Sequence, residues 1–252
     1  MLALERQKRI MELLDRHGAV LVSKLSTELG VTEETIRRDL EKLEKQDMLR
    51  RTHGGAVQFD ENAYDLSLET RKSKNVDEKK NLAKAAVKFI SSGDTIFLDA
   101  STTTFFIAKE IKSIHNLTVI TNSMRVLSEL AGSDTVKVIA IGGVVSQNQS
   151  LVGNMAEQCI DNYFANKMFF SSKGVTPQAG ILDSNAEESG IKKRMMHNCS
   201  NIYYLCDSSK IGRVGFIKLA NFADIDGFIT ESDIDDSLRE KLTEAEVEIV
   251  IA

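Results

Sequence analysis

The chain has 252 residues, 42% of them apolar and 27% charged, with a single proline and a net charge of −5. That composition describes a globular protein with a sizeable core and excludes a disordered, collagenous or disulfide-stapled chain. No stretch approaches the run of about 18 apolar residues that reads as a membrane span, and the charges scattered through residues 1–10 do not fit a secretory signal, so a cytoplasmic location is expected. Cys159, Cys199 and Cys206 lack paired metal-ligand spacing. They are expected to be reduced and mostly buried rather than to form a zinc site.

The negative average conceals an asymmetry. Residues 1–58 hold eleven Lys and Arg against ten Asp and Glu, net +1, which leaves −6 for the remainder. The first segment is compatible with a polyanion if its basic side chains share a face. The spacing predicts a first helix over residues 4–17, with Ile10, Leu13 and Leu14 at helical intervals and Gly18 as its stop. Ser23 then opens a short helix over residues 24–29, whose Leu25 and Leu29 stand four apart. Gly30 permits a tight turn, and Thr32 caps a helix running to about Lys45 with Ile36, Leu40 and Leu43 as its buried stripe. Two short helices about a glycine turn, the second with a cationic exposed side, make a helix-turn-helix. A helix fits the major groove, where its side chains reach base edges and phosphates. Residues 48–57 read as a hairpin turning at His53-Gly54-Gly55, a basic wing. The candidate DNA contacts are Thr32, Glu33, Thr35, Arg37, Arg38 and Lys42 on the helix, with Arg50, Arg51 and His53 on the wing. Asp39 is read as orienting its neighbouring arginines, since DNA repels an acid. The bland alternative is a three-helix unit with a solvated arginine pair. The coincidence of turn, stripe, double arginine and basic hairpin argues against it.

Thr35-Ile36-Arg37-Arg38-Asp39-Leu40, followed by Arg50-Arg51-Thr52-His53-Gly54-Gly55-Ala56, resembles the signature of the DeoR family of bacterial transcriptional regulators. The resemblance implies a winged helix-turn-helix ahead of a C-terminal domain related in fold to ribose-5-phosphate isomerase.

Residues 59–76 have weak periodicity and the basic patch Arg71-Lys72-Ser73-Lys74. They are read as a linker between a DNA-binding domain, residues 1–58, and an effector domain, residues 77–252. Asp77 is expected to cap a helix in which Leu82, Ala86 and Ile90 stack. Strands are expected at 95–98, 117–120, 136–141, 168–171, 202–206, 227–230 and 247–251, with helices at 103–111, 123–130, 187–197 and 236–242. Such alternation predicts an α/β fold with a mainly parallel sheet covered on both faces.

Ligands of such sheets bind beyond the carboxyl ends of the strands. The first strand leads into Asp99-Ala100-Ser101-Thr102-Thr103-Thr104, hydroxyls at a helix start that suit an anion. The second leads into Thr121-Asn122-Ser123, and the third into Gly142-Gly143, where bare backbone lets a ligand approach. Each alone reads as a cap or turn; together they point to a phosphate-bearing ligand. No dinucleotide fingerprint, Walker lysine or histidine metal pair is present, so no cofactor or metal is expected.

The family resemblance extends this set. Asp99, Ser101, Thr102, Thr103, Asn122, Ser123, Gly142, Gly143, Gly153, Glu187, Glu188 and the Asp207-Ser208-Ser209-Lys210 run match positions that line a sugar-phosphate pocket in relatives. Lys210 either meets the phosphate or pairs with Asp207. Ser101 stands where many relatives have glycine, and Lys173 where they often carry an acid. Isomerase relatives use carboxylates in that region for proton transfer, which speaks against catalysis here.

The resulting expectation is a cytoplasmic repressor of a sugar-metabolism operon, released from double-stranded operator DNA by a phosphorylated sugar, with no catalytic residue and no membrane partner. Paired reading heads match a two-fold operator, so a homodimer or homotetramer is expected. The alternatives are a sugar-phosphate isomerase carrying a DNA-binding domain and a constitutive DNA-binding scaffold.

Overall fold

The computed structural model describes residues 2–58 and 66–252. The chain divides into two units, one ending at Lys74 and one running from Asn75 to Ala252. The 59–65 part of the expected linker lies outside the described residues.

The first unit contains α1 (Ala3–His17), β1 (Ala19–Leu21), α2 (Val22–Leu29), α3 (Glu33–Lys45), β2 (Leu49–Thr52), β3 (Gly55–Gln58) and α4 (Leu68–Ser73). Apolar residues at helical spacing on α1, α2 and α3 meet in one core, where Ile10, Leu14, Leu25, Ile36, Leu40 and Leu49 are all but sealed from water. Each such side chain contributes about 1.5–3 kcal/mol through burial. Gly30 takes the left-handed turn at φ 65°. Thr32 then caps α3, its Oγ1 accepting from the Thr35 N–H at 3.3 Å. β2 and β3 form the antiparallel wing.

Four local readings differ from the sequence expectation. β1 pairs with the far side of β3; three residues are too few for alternation to show. Because β1 runs directly into α2, that helix starts at Val22 with no side-chain cap. Ser23 lies inside it, and its carbonyl accepts from the Ser26 and Thr27 hydroxyls. Asp39 does not orient Arg37 and Arg38. It is 2% exposed, and its carboxylate takes Arg6 Nε and Gln7 Nε2 of α1, the latter at 3.0 Å. Immediate neighbours on a helix point away from one another, and a carboxylate buried this deeply requires a partner from another element. Residues 66–74, read from sequence as linker, include α4. Ser67 caps it, and the Ser67 N–H donates to Asp47 Oδ2 at 2.7 Å, beyond the end of α3.

The second unit contains α5 (Val76–Val87), β4 (Thr95–Leu98), α6 (Thr104–Glu110), β5 (Leu117–Thr121), α7 (Met124–Leu130), β6 (Val136–Ala140), β7 (Val144–Val145), β8 (Leu151–Val152), α8 (Asn154–Ile160), β9 (Ala165–Phe170), β10 (Gly174–Thr176), β11 (Gly180–Asp183), α9 (Ala186–His197), β12 (Cys199–Cys206), β13 (Ile217–Ala220), β14 (Gly227–Thr230), α10 (Asp236–Glu244) and β15 (Glu248–Ile251). Seven strands pair in parallel in the order β15-β14-β12-β9-β4-β5-β6. Alternate residues of each strand serve opposite faces. Phe97, Met168, Phe170, Tyr204 and Phe228 pack with Ile160, Ile191, Met195 and Leu238 of α8, α9 and α10. Ile96, Leu98, Phe169, Leu205 and Ile229 pack with Leu82, Ala86, Ile107 and Val126 of α5, α6 and α7. This is the expected parallel α/β architecture, covered on both faces.

The small β7–β8 hairpin, the antiparallel sheet β10-β11-β13 and α8 are absent from the sequence reading, because their segments are too short for a period to declare itself. Asn75, rather than the expected Asp77, holds the N-cap position of α5, without a side-chain cap bond, and Asp77 lies inside the first turn. Ile90 is buried beyond the end of that helix. Of the thiols only Cys206 is buried; Cys159 and Cys199 sit at the ends of their elements and are half-exposed. Among the described residues no helix is long and apolar enough to cross a membrane. From β4 the strand order runs outward through β5 and β6 on one side, and through β9, β12, β14 and β15 on the other. The direction therefore reverses between β4 and β9, where open α/β sheets form their ligand crevice.

Candidate functional site

On α3, Thr32, Glu33, Arg37, Arg38 and Lys42 are exposed and Thr35 is half-buried; Arg50, Arg51 and His53 are exposed on the wing. The helix buries Ile36, Asp39, Leu40 and Leu43, so the nominated cations lie off the packed side. Arg37 pairs with Glu33 at 2.7 Å and Arg38 with Glu34 at 3.2 Å, each four residues apart. Exposed pairs of this kind are worth at most about 1 kcal/mol, so a phosphate can displace the carboxylate cheaply. Arg51 donates to Glu44 from its backbone N–H at 3.0 Å and from Nε at 2.9 Å, tying the wing to α3. Partial burial alone would raise the Glu44 carboxyl; the Arg51 bonds outweigh it and hold the group below its usual range.

In the second unit the reversal of strand order is filled by charge. Asp99, which follows β4, is fully buried. Its Oδ1 accepts from the Ser101 N–H at 3.1 Å and Thr104 Oγ1 at 2.8 Å, and its Oδ2 from the Ser171 N–H at 3.3 Å, beyond β9. Lys192 of α9 comes to the same place, donating to the Ser171 carbonyl at 2.8 Å and to Asp183 Oδ2 at 2.6 Å, with Asp99 Oδ2 at 3.5 Å. Burial works against its charge, but Asp183, Asp99 and Glu188 together prevail, and the ammonium is held above its ordinary value.

The nominated ligand residues divide by what already engages them. Ser101 Oγ accepts from the Thr104 N–H at 3.1 Å and is hydrogen-bonded to Thr104 Oγ1 at 2.9 Å. Ser123 Oγ caps α7. Glu188 accepts from Ser150 Oγ at 2.7 Å. Thr103 Oγ1 receives Lys210 Nζ at 3.4 Å. That lysine also donates to Ser171 Oγ and lies 3.4 Å from Asp207 Oδ2. Gly143 serves packing rather than ligand approach: at φ 144°, an added Cβ would meet the Val152 carbonyl at 2.6 Å. Gly142 has open space beside it. Two polar groups are left over. Asn122 Nδ2 donates to the Leu151 carbonyl at 3.2 Å, while its buried Oδ1 has no partner. Among the described residues the Thr102 hydroxyl makes no hydrogen bond, and the residue is 5% exposed.

Lys192, Asp183 and Ser171 were not nominated from sequence. The available signal was Lys192 itself, a lysine beside Ile191 on the buried side of α9. No titratable cluster suited to a metal occurs among the described residues.

The DeoR-like helix-turn-helix domain matches residues 6–62, and the DeoR C terminal sensor domain matches residues 74–232. The chain is 41% identical over 250 residues to the uncharacterised HTH-type transcriptional regulator YulB of Bacillus subtilis (strain 168), covering 99% of this chain and 96% of that relative. It is 34% identical over 239 residues to the lactose phosphotransferase system repressor of Streptococcus mutans, covering 93% and 94%. Among solved structures it is similar to ribose 5-phosphate isomerase A of Methanocaldococcus jannaschii, at 17% identity over 56% of each chain with a TM-score of 0.42.

Proposed function

The chain belongs to the DeoR family and is a DNA-binding transcriptional regulator rather than an isomerase, and we propose that it represses a sugar-utilisation operon and leaves its operator when a phosphorylated sugar occupies the second unit. In this reading it works in the cytoplasm as a homodimer or homotetramer, residues 1–58 read the operator, and residues 77–252 sense the effector.

The observation that carries the effector half is the residue of polarity at the β4 and β5 strand ends. Asn122 Oδ1 and, among the described residues, the Thr102 hydroxyl lack hydrogen-bond partners. A buried acceptor left unpaired costs about 1–3 kcal/mol, which a ligand hydroxyl recovers. Lys210 lies next to Thr103 and supplies positive charge for a phosphate. The lactose repressor's name supports sugar control. On the DNA side, Arg38 and Lys42 lie four apart on α3 and suit base edges or phosphates.

The test takes operator DNA selected by the full-length protein from random duplexes and screens pentose and hexose phosphates by thermal shift. A binding ester should weaken operator affinity by about 5- to 150-fold at fixed salt. An ester that binds yet leaves the operator dissociation constant unchanged removes it as inducer; turnover of that ester would revive the isomerase alternative.

A further inference from the structure

The point where the chain passes from one unit to the other is held by a residue of the candidate effector site. Lys74 closes the first unit and Asn75 opens the second. Asn75 adopts the left-handed conformation, φ 53°, which asparagine tolerates better than most residues. At the N-cap its side chain would ordinarily accept from a helix N–H. It makes no such bond. Its Nδ2 instead donates to Asp207 Oδ1 at 3.1 Å and to Ser209 Oγ at 2.8 Å, and the Ser209 hydroxyl donates to the same Oδ1. The other carboxylate oxygen, Oδ2, faces Lys210 Nζ at 3.4 Å. Asp207 is 1% exposed, so one buried carboxylate divides its two oxygens between the junction residue and the lysine of the effector site.

We propose that Asn75, Asp207 and Lys210 form the latch through which effector occupancy reaches the DNA-binding unit. The proposal rests on the sugar-phosphate reading. A phosphate drawn to Lys210 competes with Asp207, 3.4 Å away, for its ammonium. Asp207 then loses the nearer of the two cations that act on it, Lys210 and Lys79, and must lean on its remaining donors or shift, and Asn75 is bonded to it directly. Since Asn75 contributes no cap, its side chain is free to follow Asp207 without unwinding α5. A change there alters the backbone at the boundary between α4 and α5, where the chain leaves the DNA-binding unit. Coupling requires only that the two junction states differ in their affinity for the effector.

Asn75→Gly keeps the left-handed backbone and deletes the latch; Asn75→Asp keeps the backbone preference and sets like charges against each other. Both full-length variants are to be checked for native circular dichroism and titrated with selected operator DNA, with and without saturating pentose or hexose monophosphates, inorganic phosphate serving as the minimal probe. Calorimetry measures ester binding separately. The ratio of operator dissociation constants with and without ester should fall from about 5–150 in the wild type to about 1–2 in both variants, with ester still bound. A wild-type ratio retained in either variant overturns the latch alone. A panel in which no ester binds the wild type overturns the effector reading, and the latch with it.

Discussion

Replacing Lys192 with methionine tests whether the reversal point of the sheet is held by charge. The substitution keeps most of the aliphatic stem and removes only the ammonium. In the native protein that ammonium meets three acceptors, the Ser171 carbonyl at 2.8 Å, Asp183 Oδ2 at 2.6 Å and Asp99 Oδ2 at 3.5 Å. The lysine and both carboxylates are all at least nine-tenths buried, so its loss strands two buried negative charges. Breaking a buried pair from one side costs about 3–5 kcal/mol. For a unit the size of Asn75–Ala252, each kcal/mol moves the melting temperature by about 2–4 °C, giving an expected drop of about 6–20 °C. The deficit should have a pH signature. Protonating a stranded carboxylate removes the unpaired charge, so the gap to the wild type should narrow as the pH is lowered from neutral into the acid range. Calorimetric melts of both proteins across that range decide the matter. A Lys192→Met protein that melts within about 2 °C of the wild type at neutral pH would refute the argument.

Arg38→Ala should weaken operator binding by about 1–3 kcal/mol without lowering the melting temperature, because the side chain lies off the packed side of α3 and, among the described residues, pairs only with exposed Glu34; undiminished operator affinity would move the reading surface elsewhere. Thr102→Val should reduce sugar-phosphate affinity by about 1 kcal/mol or more while leaving ester-free operator binding intact, since it removes a hydroxyl that no described residue engages; unchanged calorimetric affinity sinks that assignment. Asp207 should give a distinct acid signature. Burial alone would raise its pKa, but the Lys210 charge and the Ser209 and Asn75 hydrogen bonds hold it below the ordinary 3.8. Its contribution is thus present above the unfolded pKa and lost as pH falls through the folded one, so the stability advantage over Asp207→Asn should be full above about pH 5 and shrink below about pH 4. An advantage that persists undiminished into stronger acid contradicts the assignment.

The legible parts of the chain are those that repeat locally. Ile36, Leu40 and Leu43 announce α3 because a helix face recurs within a few residues, and Thr32 announces its start. The strand ends at Asp99, Asn122 and Gly142 follow from counting alternations of strand and helix. Polar pairing across the fold has no period to read. Asp39 looks like a partner for Arg37 and Arg38 until α1 brings Arg6 and Gln7 to it from more than thirty residues away. Asn75 and Asp207 are separated by 132 residues, and nothing near either one in sequence names the other. Gly143 shows the same limit in a different form: a glycine beside a strand end suggests an approaching ligand, whereas the approaching group is the Val152 carbonyl of the chain itself.

The same distinction bears on how a parallel α/β domain can serve as a sensor. Asp99, Asp183 and Lys192 lie where ligand chemistry is expected, yet the lysine's three donors face three acceptors of the protein itself, leaving it no free donor for an effector. Glu188 is likewise engaged by Ser150. A proton-transferring carboxylate needs access to the substrate carbon and a pKa near the working pH. Asp99 instead is sealed and bonded on both oxygens. Charge at the strand reversal therefore holds β4, β9 and α9 together, and in the proposed reading recognition passes to the neutral groups at its edge, Thr102 and Asn122, with Lys210 as the cation that can change partners. Neutral hydroxyl and amide contacts select a ligand's shape without driving its chemistry. An exchangeable ion pair at Asp207 gives that selection a mechanical consequence at the junction, which is what a regulator of this architecture requires.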